Sequence, residues 1–343
     1  MNSHRSGFLK NLLQRSAAPL LRFVYGGIGS IIMLHRVTEG LPGPRIEECR
    51  RLMEISPGAL EKIIFHMRKL HYTFINMDEV VDILKHNRRA PKFAVITIDD
   101  GFRDTYDTVF PMLTQMGVPF TLYLTTGVPD KTVIPWAYLL EQRLLNNDSI
   151  HFDFNNKRYG YEMRDESQRE RVFWSILMLF EDLLPDERNA LFLQLFGEDA
   201  IREKVDELAI SWEQLEEMSK NSLVTIGSHT VNHPKLSMLD RASARREMAD
   251  AKALIESHLK TTVQHFSYPF GSNSCSGARE FQLAREVGYK TATTTRLANI
   301  FPAHKSGLHC LPRVYGANIW ELELALTGSI SAFRYRGKRG VMA

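Results

Sequence analysis

Phe93-Ala94-Val95-Ile96-Thr97-Ile98-Asp99-Asp100-Gly101 is the stretch on which the reading of this chain turns. Its apolar and β-branched run has no polar face, which describes a strand buried on both sides, as in a parallel sheet covered by helices. The strand then ends in two adjacent carboxylates and a glycine turn. Two buried charges side by side are costly unless something neutralises one of them, and a metal ion is the usual answer. Candidate partners lie far downstream, at His229-Thr230-Val231-Asn232-His233.

Working outward, the chain alternates short apolar runs with helical patterns. Strands are expected at Ile31–Leu34, Thr73–Ile75, Phe93–Ile98, Phe120–Leu124, Leu223–Ile226, His265–Ser267, Lys290–Thr293 and Cys310–Arg313. Ser56-Pro57 caps a helix running to about Leu70, and Asp78 is expected to cap a second, to about Lys85. Thr105–Met116 reads as a third helix ended by Gly117. Asp240–Leu259 is long, with Ala244, Met248, Ala251, Ile255 and Leu259 on one face. Repeating strand–helix units predict an α/β fold with a parallel sheet, either a barrel or a doubly wound sheet. Residues 129–220 break the rhythm and read as a helical insertion, with helices at Trp136–Leu145, Gln168–Leu184, Asp186–Phe196 and Trp212–Ser219. Such an insertion either shapes substrate access or serves as structural cover.

With 343 residues, 44% apolar and 24% charged, the chain has the make-up of a soluble globular protein. A net charge of +3 is too small to imply nucleic-acid binding. The basic residues gather at the ends: residues 1–28 form a basic, amphipathic segment with Phe8, Leu9, Leu12, Leu13, Ala17 and Leu20 at helical spacing, and residues 331–343 form a basic tail. The N-terminal helix either lies peripherally on a membrane or packs on the protein body, and the basic tail either touches an anionic membrane surface or is simply solvated. No uninterrupted apolar core with a cleavage site follows the basic start, so a signal peptide is not expected and a cytoplasmic location is. The three cysteines, Cys49, Cys275 and Cys310, lack CxxC spacing and suit a reducing compartment.

A carboxylate with two histidines is a common three-ligand set for a catalytic divalent ion, with a fourth position for water. Asp99 and Asp100, as neighbours on an extended chain, point in different directions, so one can bind metal while the other contacts the attacking water. Both motifs fall at the C-terminal ends of predicted strands, where α/β folds gather their active sites.

Thr97-Ile98-Asp99-Asp100-Gly101, Ser228-His229-Thr230-Val231-Asn232-His233-Pro234 and Tyr268-Pro269-Phe270-Gly271, in that order, resemble the polysaccharide deacetylases of the NodB-homology class, carbohydrate esterase family 4. The resemblance spans about Gly29 to Val314 outside the insertion, and the deacetylase-like domain is read as 29–330. It implies a distorted (β/α) barrel of about seven parallel strands and hydrolysis of N-acetyl groups on a sugar or polysaccharide. O-acetyl ester cleavage and a non-catalytic glycan-binding role are the alternatives. It implies a divalent ion, Zn2+ foremost with Co2+, Ni2+ or Fe2+ as alternatives, held by Asp100, His229 and His233, with Asp99 as general base. The Tyr268–Gly271 turn, through Tyr268 and the Phe270 N–H, is the expected oxyanion and substrate element.

Two departures stand out. The arginine that usually opens the third motif is replaced by Ser267, and Arg313 either substitutes for it or is an ordinary surface ion pair. The late Leu-x-His motif that supplies a general acid is missing; His35, at the end of Ile31-Ile32-Met33-Leu34, is the preferred candidate and His309 the second. The expected location makes a lipid-linked or nucleotide-linked N-acetyl sugar the natural candidate substrate.

Overall fold

The computed structural model describes residues 25–39, 45–46, 50, 53–86, 91–315 and 319–328. The 1–24 part of the amphipathic segment, Cys49 and the basic tail lie outside the described residues. The chain runs through β1 (Gly29–Leu34), β2 (Arg36–Val37), β3 (Glu54–Ile55), α1 (Pro57–Lys69), β4 (Thr73–Phe74), α2 (Met77–His86) and β5 (Phe93–Asp100). A π-helical turn, Thr105–Val109, leads into α3 (Phe110–Met116) and β6 (Phe120–Leu124). The insertion contains α4 (Trp136–Leu145), β7 (Ser149–Phe154), β8 (Lys157–Glu162), α5 (Glu166–Glu181), α6 (Pro185–Phe196) and α7 (Glu198–Leu208). Then come α8 (Trp212–Ser219), β9 (Val224–Ser228), α9 (Arg241–Leu259), β10 (His265–Ser267), α10 (Ala278–Val287), β11 (Thr291–Leu297), β12 (Leu311–Arg313) and α11 (Ile319–Leu326).

Seven strands pair in parallel in the order β1-β5-β6-β9-β10-β11-β12, with β4 added beside β5. The ring is closed by a parallel bridge between Ile32 and Val314, where Met33 N–H donates to the Val314 carbonyl at 2.9 Å and Val314 N–H to the Ile31 carbonyl at 2.7 Å. The result is a nearly closed, distorted (β/α) barrel. Besides that closure, a second thin seam lies between β9 and β10, which share the single register pair Phe266↔Ser228. The strands approach closely there: a Cβ on Gly227 would meet the Tyr123 ring at 2.6 Å and the His265 carbonyl oxygen at 2.9 Å.

Alternation along β5 sorts its side chains. Ile96 and Ile98 pack outward with Leu60, Ile63, Leu113 and Phe120 against the helices. Val95 packs with Ile31 and Leu311 at the lower end, and Thr97 and Asp99 follow it on the inward face. The barrel interior is thus apolar below and polar at the rim.

Three expectations need correction. The insertion is not helical throughout: β7 and β8 form an antiparallel hairpin whose turn residues, Asn155 and Asn156, both have positive φ (50° and 59°), as a type I′ turn requires. The cap of α2 is Asn76, not Asp78: Glu79 N–H donates to Asn76 Oδ1 and Asn76 N–H to Glu79 Oε2, both at 2.9 Å. The insertion also ends earlier than residue 220. Phe173, Phe180 and Phe192 anchor a separate core within it, whereas Leu215 and Met218 of α8 belong to the barrel's own core. No helix among the described residues is long and apolar enough to cross a membrane.

Candidate active site at the barrel rim

The carboxylate pair is split by its backbone. Asp99 keeps the strand's inward direction. Asp100 has φ of 78° and Gly101 has φ of 108°, a left-handed step that is unfavourable for a side-chain-bearing residue. It turns the Asp100 carboxylate over the rim instead of into the helix layer. There Asp100 Oδ1 lies 3.5 Å from His229 Nε2 and 3.4 Å from His233 Nε2.

The histidines sit on the loop after β9. His229 N–H still bonds the Leu124 carbonyl at 2.8 Å, extending the sheet register by one residue. His229 Nδ1 bonds the Ser267 carbonyl at 2.7 Å. A carbonyl can only accept, so Nδ1 carries the proton and Nε2 presents its lone pair to Asp100. Glu247 on α9 gathers the loop, accepting from Val231 N–H, Asn232 N–H and Asn232 Nδ2 at 2.9, 3.0 and 2.8 Å. Thr230 and His233 both have positive φ (71° and 52°), and His233 N–H donates to Thr230 Oγ1 at 3.1 Å.

These residues fit a divalent cation on their own chemistry. Asp100 Oδ1 is buried with no hydrogen-bond partner among the described residues. One donor atom from each of Asp100, His229 and His233 falls within 4.8 Å of the others. Ligands at roughly 2.0–2.1 Å in a tetrahedral shell stand about 3.3–3.4 Å apart, close to the carboxylate–imidazole distances found here. Burial, then the Asp99 charge, pushes the Asp100 carboxyl up to about 8. Burial also lowers both histidines, which favours the neutral imidazole with one ring nitrogen bearing a lone pair. A cation would favour the ionised Asp100 against that burial.

Asp99 is managed in the opposite way. Arg313, only 1% exposed and so no surface pair, grips it with both arms of the guanidinium: Nη1 to Oδ1 and Nη2 to Oδ2, each at 2.7 Å. The same side chain donates to Ser267 Oγ at 3.0 Å, Thr97 Oγ1 at 3.2 Å and the Thr294 carbonyl at 3.0 Å. Burial alone would raise the Asp99 carboxyl. The charge and paired hydrogen bonds of Arg313 outweigh it and hold the group well below the ordinary carboxylate range. Ser267 stands within reach of both groups, and its small side chain leaves room for an arginine arriving from another strand.

His35 lies in the bend between β1 and β2 and lines the same cavity as Asp99, Asp100 and both rim histidines. Its Nδ1 is buried without a partner among the described residues. Asp104 fixes the backbone beside it by accepting from Arg36 Nε at 2.8 Å and Val37 N–H at 2.7 Å. His309 is elsewhere: its Nε2 bonds the Tyr289 carbonyl at 2.8 Å, and it does not line the cavity. Tyr268 is also a correction. Its side chain is fully buried in the core, and its hydroxyl donates to the His309 carbonyl at 2.8 Å. Its N–H is spent on the Thr293 carbonyl, so nothing of Tyr268 is offered to a substrate. Phe270 does reach the cavity, 4.9 Å from the His233 ring between centroids. Its φ is 60°, and its N–H makes no hydrogen bond among the described residues.

A cavity of about 530 Å3 opens from this rim and continues under the insertion. The insertion is tied to the histidine loop: Arg188 on α6, buried, donates from Nη2 to the Asn232 carbonyl at 3.1 Å. Lys235 pairs with Glu181 at 3.2 Å and Asp182 at 2.9 Å at the end of α5. Sequence reasoning missed Glu247, Asp104 and Arg188. Each acts on backbone brought to it by the fold, and no local pattern marks such residues.

The sequence model of the family described as Polysaccharide deacetylase matches residues 86–292. The putative polysaccharide deacetylase YxkH of Bacillus subtilis (strain 168) is 32% identical over 104 residues, 30% of this chain and about a third (34%) of that protein. Among solved structures, the Streptococcus pyogenes deacetylase PplD in complex with acetate superposes with a TM-score of 0.57 at 20% identity, covering 87% of this chain and 96% of that one. IcaB from Ammonifex degensii gives 0.53 at 17% identity over 88% and 97% of the two chains. At these identities the structural likeness speaks for the fold.

Proposed function

Because the chain belongs to the polysaccharide deacetylase family, we propose that it is a metal-dependent hydrolase that removes N-acetyl groups from a sugar. The observation that carries this reading is the asymmetry of the aspartate pair. One carboxylate is locked ionised by Arg313, and the other faces two lone-pair-bearing histidines with no partner of its own.

Asp100, His229 and His233 would hold a divalent ion, and their nitrogen and oxygen donors suit Zn2+. When bound, such an ion polarises the acyl oxygen and brings the pKa of water near 7. Asp99 stands beside that position, ionised and held in place by Arg313, and accepts a proton from the attacking water. The Phe270 N–H donates to the oxygen that gathers negative charge. His35 rests neutral, because burial foremost pushes it down to about 4. The proton it gives to the leaving nitrogen therefore comes from the attacking water by way of Asp99. Both protons of the water end on nitrogen, and acetate leaves as the anion.

The test is metal analysis of the purified protein with acetate release measured on matched N-acetyl and O-acetyl sugars. Stoichiometric metal and release from the amide support the reading. Release from the ester alone makes the protein an O-acetyl esterase, and metal without release from either overturns hydrolysis.

A further inference from the structure

The cavity has two unlike ends. At the barrel rim are His35, Asp99, Asp100, His229 and His233. Under the insertion its walls are Trp136 of α4, Phe173, Trp174 and Leu177 of α5, and Val205 and Leu208 of α7. Among the described residues that line it, none is Asn, Gln, Ser, Lys or Arg; its hydroxyls are those of Thr125, Tyr138, Thr295 and Tyr315, and none of these belongs to α5 or α7. Glu181, at the end of α5, is paired with Lys235.

That lining does not suit a saccharide chain. Aromatic faces can stack on sugar rings, but ring hydroxyls removed from water also need donors and acceptors around them. Each hydroxyl buried without one costs roughly tenfold or more in affinity. The volume, about 530 Å3, is that of a small-molecule site rather than of an acetyl pocket. The apolar end is continuous with the reactive rim, so one substrate spans both.

We infer that the insertion end of the cavity takes a hydrocarbon chain of the substrate, so that the substrate is an N-acylated amino sugar carrying a long alkyl chain. The inference rests on the deacetylase reading above. The chain can enter as the aglycone or as a long N-acyl group, and both present the same chemistry to Trp174 and Leu177.

Two substrate series separate these sources, each kept below its aggregation concentration. One is alkyl β-glycosides of N-acetylglucosamine from methyl to decyl. The other is methyl glucosaminides bearing N-acyl groups from acetyl to decanoyl. Carboxylate release gives kcat/KM, and tryptophan fluorescence gives Kd independently of turnover. A gain of about fourfold per methylene in one series, levelling when the cavity fills, is the expected result and identifies the source. Leu177→Asp should retain its metal and flatten that gain, whereas Phe65→Ser, at an exposed apolar side chain outside the cavity, should keep it. Carboxylate release with no length dependence in either series overturns the inference, as does a gain that survives Leu177→Asp. A full-length Leu9→Asp/Leu13→Asp variant that acquires a gain the parent lacks also overturns it, by assigning the cavity to the N-terminal segment. A length-dependent Kd without any release leaves the inference standing and refutes deacetylation instead.

Discussion

Arg313→Met tests the electrostatic heart of the site. Arg313 and Asp99 are 1% and 2% exposed and joined by two 2.7 Å bonds. Removing one partner of a buried pair leaves an uncompensated charge and costs about 3–5 kcal/mol. Asp99→Asn should cost a comparable amount by stranding Arg313. The double variant should be more stable than the sum of the two losses by about 3 kcal/mol, because no charge is then left alone. Urea unfolding of the four chains, with chelator present to remove metal from the comparison, gives the cycle. The pH dependence supplies a second readout. In the parent, Asp99 is depressed below its ordinary 3.8, so its contribution is complete above about pH 4 and is lost as pH falls through the folded value. In Arg313→Met, burial governs Asp99 as it governs Asp100, and the folded value rises above the unfolded one. The folded state then binds a proton that the unfolded state releases, and the variant gains stability as pH falls from 7 toward 5. Asp100 also titrates in this range and feels both Asp99 and Arg313, so the two curves are compared in an Asp100→Asn background, where the difference isolates Asp99. Losses additive within about 0.5 kcal/mol, with a parent–variant gap constant over that pH range, would refute the reasoning.

His35→Ala should slow acetamide hydrolysis by about 10²–10⁴-fold while sparing an activated aryl acetate, whose leaving group needs no proton; equal losses on both would remove His35 from the acid role. Metal affinity, read by competition with a chelating dye, should rise about tenfold per pH unit from 6.5 toward 8 and then level, because binding displaces the Asp100 proton. Both histidines are already neutral there, so a flat profile or a two-proton slope would contradict the ligand assignment. Tyr268→Phe should cost about 1 kcal/mol of stability through its lost bond to the His309 carbonyl and leave kcat unchanged; a fall in kcat at full stability would return Tyr268 to the substrate.

Much of the barrel was legible because its strands are buried on both faces. Ile96, Ile98, Phe120 and Leu122 stand in continuous apolar runs between turn residues, which leaves little choice of structure. The hairpin of the insertion was harder, although Ile150 and Phe152 alternate with polar residues and Asn155-Asn156 marks the turn. Strong helices on either side drowned that signal. The metal-ligand candidates were legible because Asp100, His229 and His233 carry their chemistry in their side-chain types and end predicted strands. The support around them was not. Arg313 stood out as a strand-ending arginine, yet its partner Asp99 is 214 residues away, and only closure of the barrel by β12 joins them. Tyr268 was misread because a motif tyrosine beside a site looks alike whether it faces solvent or core. Asp100 needed a left-handed turn to leave the strand's alternation, and Gly101 alone hinted at it.

One strand contributes no ligand and yet measures out the site. β6 lies between β5 and β9, pairing Asp100 with Leu124 on one side and Leu124 with Ser228 on the other. That row fixes the level at which Asp100 and His229 meet, as a spacer bar fixes two posts. Deleting one residue from the middle of β6, well away from any metal donor, would shift one post by about 3.3 Å and reverse the faces of its neighbours. Metal titration would then serve as a gauge of strand register, reporting on a pairing error that circular dichroism would barely notice.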